Sequence, residues 1–173
     1  MKLFASIILC LILSACSSQA RIHKNFANID YERILLPHIK GDTANYVYKK
    51  FIDEFEAHPN LKIIGHDRIL AVSIKLGLGS NIQGASFSTL QAIAKELDAE
   101  AIVLGNVKSG AMSISSSLQI YSNIDLELID IKSAKVVTSA SVDEEMTLRE
   151  RGSSLKSATE NIIRQYQTIF AQL

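Results

Sequence analysis

The chain predicts an α+β domain, a mixed β-sheet with an early βαβ crossover and a late antiparallel meander, with helices packed on the sheet. Three observations predict it. Two short apolar runs, Ile34-Leu35-Leu36 and Leu61 to Ile64, flank a segment in which Ala44, Val47, Phe51 and Phe55 recur at three- and four-residue steps. That is the spacing of one helix face, and a crossover of such length joins parallel strands. Further on, Leu118, Ile120, Ile124, Leu126 and Leu128 alternate with polar residues, and Val136 to Val142 follows after a short turn. Period-two patterning with short turns reads as antiparallel strands, each with one buried face. Finally, Leu90, Ile93, Ala94 and Leu97 before the meander, and Leu155, Ala158, Ile162, Tyr166, Ile169 and Leu173 after it, return to helical spacing.

Taken in order, Arg33 to Ile39 is expected to be a strand, and Asp42 to cap a helix over 43–57 that ends at Pro59-Asn60. Leu61 to Ile64 is the second strand, and Asp67 is expected to cap a short helix to Leu76. The glycine-rich stretch 77–85 is a loop. Ser88 and Gln91 have capping-box spacing for a helix over 88–98. Ala101 to Val107 is the third strand, 108–117 a connection, and the meander closes into a long helix over 154–172. Leu97, Ile102, Leu104, Leu126, Leu128, Val136 and Ile162 fall on apolar faces and are the expected core.

The amino terminus carries an address. Lys2 is followed by an apolar run from Leu3 to Leu13 and then by Leu13-Ser14-Ala15-Cys16. A positive residue, a short apolar run and small residues before a cleavage point make a secretory signal. The run falls short of the about 20 residues needed to span a bilayer as a helix. Leu13 to Cys16 resembles the bacterial lipobox, which implies cleavage before Cys16 and acylation of its sulfur and of the new terminus. Several acyl chains, each contributing about 0.8 kcal/mol per buried CH₂, anchor a protein durably. No Asp follows Cys16, and Ser17-Ser18 does. By the enterobacterial sorting pattern this places the protein at the outer membrane, facing the periplasm. The organisation expected is thus a signal peptide at 1–15, an acylated Cys16 and short tether at 16–30, and a periplasmic domain at 31–173.

Cys10 leaves with the signal, so Cys16 is the only remaining cysteine and the domain is held by packing without disulfides. Lys plus Arg and Asp plus Glu are equal at 18 each, which provides no field to attract nucleic acid.

The chain offers no catalytic constellation. His23, His38, His58 and His66 lack the spacing of a helical metal pair, and no free thiolate accompanies them. Gly77-x-Gly79 with Gly84 has the wrong spacing for a dinucleotide fingerprint, and a loop explains it. Ser153-x-x-Lys156 matches one element of penicillin-binding enzymes without its companions, and serines at a helix start are ordinarily caps. Asp125 and Glu127 stand on the strand face opposite Ile124, Leu126 and Leu128, as carboxylates on a solvated sheet face do. No catalytic residue, cofactor site or metal site is therefore expected.

Two segments carry a resemblance. Leu90-x-x-Ile93-Ala94-x-x-Leu97-Asp98-Ala99-x-Ala101-Ile102-Val103-Leu104-Gly105-Asn106-Val107 is one, and Ile124 to Val137, with Asp130 before the turn Lys132-Ser133-Ala134, is the other. Together they resemble the lipoprotein group that contains the curli secretion (CsgG-type) lipoprotein, the lipoprotein activator of penicillin-binding proteins, and related export and flagellar envelope lipoproteins. Asp98 stands where that group commonly has glycine, Ser133-Ala134 replaces its usual Thr-Gly turn, and the chain has no tryptophan. The resemblance implies a non-enzymatic structural or accessory component of an envelope export or assembly system, similar to the lipoprotein of Pel-type polysaccharide export. It implies self-association or an envelope protein partner. A regulator that binds a peptidoglycan synthase and an unrecognised periplasmic hydrolase are the alternatives. The connections 77–87 and 108–117 are shorter than the about 20 residues that a membrane-spanning hairpin needs. For self-association the candidates are Ile82 and Phe87 in the first connection, and Ile114 and Leu118 at the second.

Overall fold

The computed structural model describes residues 21–22, 30–114, 117–147 and 154–172. Cys16 and the signal sequence lie outside the described residues. Among the described residues seven strands form one mixed sheet: β1 (Arg21–Ile22), β2 (Arg33–Leu35), β3 (Ile39–Lys40), β4 (Lys62–Ile64), β5 (Ala101–Ile114), β6 (Ser117–Asp130) and β7 (Lys135–Thr147). Their spatial order is β1-β7-β6-β5-β2-β4, with β3 also beside β5. β2 runs parallel to both β4 and β5, and β3 parallel to β5, whereas β5-β6-β7 is an antiparallel meander. The predicted α+β class and its two-part topology are observed.

The helices are α1 (Ala44–Phe55), α2 (His66–Lys75), α3 (Phe87–Leu97) and α4 (Ser154–Phe170). α1 and α4 cover one face of the sheet, where Val47, Phe51, Phe55, Ile162 and Tyr166 meet Ile34, Val103, Ile124, Leu126 and Leu128. An aromatic stack, Phe51 against Phe55 and Tyr166 with centroids 4.6 and 5.2 Å apart, joins the two helices. α2 and α3 cover part of the other face, where Ile69, Leu90, Ile93 and Leu97 meet Leu35, Ile64 and Ile102.

The helix starts differ in detail from those expected. Thr43, not Asp42, is the residue preceding α1, and its hydroxyl bonds Ser109 Oγ across to β5 (2.6 Å) instead of capping. Gly65 precedes α2, with Asp67 in its first turn. Ser86 caps α3, accepting from the Thr89 N–H (3.2 Å), while the Gln91 amide donates to the Ile131 carbonyl (2.9 Å). The glycine-rich stretch closes α2. Gly77 N–H donates to Ile74 O and Leu78 N–H to Ser73 O, with Gly77 at φ +71°, the geometry of a Schellman cap.

Three expectations need correction. The stretch 108–117 is not a connecting loop: β5 continues to Ile114 and β6 resumes at Ser117, in register along the whole hairpin. Val136 is half-buried because a register shift after Leu128 turns Val137 into the core instead. Leu104 is also half-buried, because it lies past the part of the sheet that α3 covers. Leu97, Ile102, Leu126, Leu128 and Ile162 are buried as expected. Within the segment read as a tether, Arg21 and Ile22 pair antiparallel with Ser139 and Thr138 of β7.

The two motif departures have a shared geometry. Asp98 (φ +53°) and Ala134 (φ +56°) are the non-glycine residues with positive φ among the described residues. Glycine suits both sites because it lacks the Cβ that crowds the left-handed conformation, and aspartate tolerates it better than alanine does. Gly41 is not replaceable on the same terms. It has φ +117°, and a Cβ there would fall 1.9 Å from the Val107 carbonyl oxygen.

Candidate functional site

The uncovered part of the second sheet face forms a cleft of about 390 Å³. Its sheet wall is made by Leu104, Asn106, Asp125 and Glu127, because even positions of β5 and odd positions of β6 share that face. Its opposite wall is the segment leading into α3, with Ile82, Gln83 and Phe87, and His38 and Lys40 close one end. The floor is apolar and the rim carries both signs of charge. Asp125 accepts from Ser141 Oγ (2.6 Å), a bond within the sheet face that holds its carboxylate in place.

Hydrogen bonding fixes the two histidines here. The Pro37 carbonyl can only accept, so His66 donates to it from Nδ1 (2.8 Å). The Gln83 amide nitrogen can only donate, so His38 accepts it at Nε2 (3.0 Å). The rings meet edge-on with centroids 6.2 Å apart. Burial, and secondarily the neighbouring His66, hold the His38 imidazole below its ordinary value. Burial likewise raises the Tyr48 phenol, against the opposing effect of the His66 backbone N–H that donates to its oxygen (2.7 Å). Among the described residues no three His, Cys, Asp or Glu side chains converge as a metal site would require.

The candidate residues separate into two places. Ile82 and Phe87 both line the cleft. Ile82 is only 4 % exposed and packs with Leu90 and Ile93, so it belongs to the core and not to a free surface. Phe87 is half-buried at the first turn of α3. Ile114 and Leu118 lie at the far end of the β5–β6 hairpin, about 30 Å further along the strands. Leu118 is 41 % exposed. Of the earlier candidates for chemistry, Lys156 pairs with Glu160 on α4 (3.7 Å), and Ser153 lies outside the described residues. Sequence reasoning missed the cleft itself, although the polar face of β6 was a signal for one wall of it. It also missed Ile74 and Leu76, which are exposed at 58 and 39 % where α2 ends, beside Leu78 at 43 %.

The arrangement is a sheet with helices on one face and a half-open second face, and it is the fold shared by a set of envelope lipoproteins, the CsgG/LpoB-like fold. The PelC dodecamer from Paraburkholderia phytofirmans matches with a TM-score of 0.55 at 15 % identity, over 86 % of this chain and 94 % of that one. Lipoprotein GNA1162 from Neisseria meningitidis matches with a TM-score of 0.55 at 13 % identity, over 79 % of this chain and 98 % of that one. The LpoB C-terminal domain from Salmonella enterica matches with a TM-score of 0.51 at 11 % identity, over 67 % and 84 %. No family model and no curated protein matches the chain. No described helix is long and apolar enough to cross a membrane.

Proposed function

We propose that this chain is an outer-membrane lipoprotein, acylated at Cys16, whose periplasmic domain associates with itself as a non-enzymatic part of an envelope export or assembly system. The observation that carries this reading is the match to PelC, a dodecamer, over nearly the whole of both chains. A lipobox-like Leu13-Ser14-Ala15-Cys16 ahead of that fold supports the anchor. Ile74, Leu76 and Leu78 supply a surface for association, since three large apolar side chains lie exposed within five residues. Phe87, half-buried at the cleft, is a second position for such a contact. Head-to-tail repetition of one such contact closes into a ring.

The match to the LpoB C-terminal domain supports a second reading, a regulator that binds a peptidoglycan synthase. Reach counts against it. Cys16 stands five positions before Arg21, which pairs with β7, and that link extends at most about 18 Å. A regulator acting on an inner-membrane synthase needs a far longer tether. Native mass measurement of the acylated protein in detergent tests the choice. A discrete oligomer that Ile74→Lys with Leu78→Lys dissociates is the expected result. A strict monomer that captures a penicillin-binding protein would overturn it in favour of the regulator.

A further inference from the structure

One row of side chains crosses the open sheet face at the cleft. Lys40 of β3 stands opposite Asn106 of β5, and Asn106 stands opposite Asp125 of β6. Neighbouring strands lie about 4.8 Å apart, so the Lys40 and Asp125 backbones are about 10 Å apart with Asn106 between them. All three residues line the cleft, together with Glu127 two positions along β6 from Asp125. The ion pairs among the described residues join Arg33 to Asp98, Lys75 to Glu96 and Lys156 to Glu160, and none involves Lys40, Asp125 or Glu127. The cleft therefore holds a cation at one end, carboxylates at the other and an amide in the middle. Beside this row Leu104 and Phe87 are half-buried and leave apolar surface facing the same space.

Both walls are set by bonds within the protein. On the sheet side the Ser141 hydroxyl donates to the Asp125 carboxylate (2.6 Å) and fixes its direction. On the other side the segment from Gly79 to Ala85 is tied down at three points. Ser73 Oγ donates to the Gly79 carbonyl (2.6 Å), Gly84 N–H to the Asn81 side chain (3.0 Å) and Ala85 N–H to the Ile82 carbonyl (3.2 Å). The Gln83 amide then joins this wall to His38 at the cationic end. A walled cleft of about 390 Å³ lies within the about 300–1,000 Å³ of small-molecule sites, and a site held in place before binding loses little entropy when it is filled.

We propose that this cleft binds a short peptide with free termini, of dipeptide length and carrying an apolar side chain. In an extended dipeptide the terminal nitrogen and the carboxylate carbon are about 6 Å apart, one Cα–Cα step plus a bond at each end. Those two charges fit between side chains that reach inward from backbones about 10 Å apart. The ammonium has three donors, which Asp125 and Glu127 accept, and the carboxylate accepts from Lys40. The central peptide group has one donor and one acceptor, and the Asn106 amide offers one of each. The apolar side chain lies on Leu104 and Phe87. A single amino acid, with its charges about 2.5 Å apart, leaves one end of the row unmet. A simple cation leaves Lys40 unmatched. The inference depends neither on acylation at Cys16 nor on self-association.

Calorimetric titration of the full-length protein in detergent with L-leucyl-L-alanine tests this. One dipeptide should bind per chain. N-acetyl-leucyl-alanine, leucyl-alanine amide and glycyl-glycine, which lack the ammonium, the carboxylate and the apolar side chain in turn, should each bind at least about tenfold more weakly. Asp125→Asn should abolish the preference for the free amine and keep that for the free carboxylate, and Lys40→Gln should do the reverse. A general loss of folding cannot produce that split. No heat with leucyl-alanine from a protein that unfolds cooperatively overturns the inference. So does an affinity indifferent to the termini, or one that both variants keep in full. Binding that appears only after Ile74→Lys with Leu78→Lys has separated the copies would assign the cleft to a neighbouring copy, and also overturns it.

Discussion

The β5-β6-β7 meander is built twice over from the same strand geometry, and its two halves behave differently. In the proximal half, 101–107 with 124–130 and 135–142, Ile124, Leu126 and Leu128 are fully buried under α1 and α4. In the distal half, register and strand length continue unchanged to Ile114, yet Met112 and Leu118 are exposed. α4 reaches only its beginning, where Ser157 and Asn161 donate to the Glu144 carboxylate (3.4 and 2.7 Å). Backbone pairing alone therefore continues the strands, while helix cover determines which part of them is a core. The proximal half serves stability and the distal half is free to serve a surface.

Truncation tests that division most strongly. Leu126→Ala should cost about 2–5 kcal/mol in urea unfolding, because a buried leucine leaves a cavity. Leu118→Ala should change stability by no more than about 0.5 kcal/mol, as exposed sites do. Equal losses at the two positions would mean that the distal half is packed as tightly as the proximal one.

A smaller effect is expected at the charged turn of the meander. Ala134 sits at φ +56°, a conformation that costs an L-residue about 1–2 kcal/mol. Glycine relieves this but gives the unfolded chain more freedom, so Ala134→Gly should stabilise the domain by about 0.5–1 kcal/mol net. A lower thermal midpoint for Ala134→Gly would show that strain at this turn is not the governing term.

The smallest effect is a pH dependence beside the proximal half, at His38. Its folded value lies below the ordinary 6.5, chiefly through burial. The unfolded chain then binds the proton first as the pH falls, so stability is complete above about pH 6.5 and declines below it. His38→Gln should flatten that decline in unfolding curves taken between pH 7.5 and pH 5.5 (about one decade either side of the free imidazole). An unchanged decline in the variant would assign the slope to other groups.

How much of this was legible in the sequence divides along the same line. Where burial selects side chains, periodicity reads truly: Val47, Phe51 and Phe55 on α1 and Ile124, Leu126 and Leu128 on β6 face the core as their spacing predicts. Periodicity is blind where nothing is buried. The distal strands looked like a connection because Ser109-Gly110 and Ser115 to Ser117 resemble turn chemistry, and the pairing that extends them is a long-range property. Val136 departs from its expected burial for a related reason, since a bulge shifts the alternation by one residue without leaving a local mark. Ile82 stands in a stretch whose composition is that of a surface loop, and tertiary contact with α3 buries it. The cleft joins residues from four separate segments, and no local pattern encodes that convergence. By contrast, the glycine preference at Asp98 and Ala134 was visible as a motif departure before their left-handed geometry explained it.

The proposal that this fold is held at a membrane by Cys16 is tested most directly by radiolabelled palmitate in the intact organism. The account predicts label on the wild-type protein, which fractionates with the outer membrane, and no label on Cys16→Ala, which appears in the soluble periplasmic fraction. Label that persists on Cys16→Ala, or a wild-type protein that never acquires it, would contradict the account.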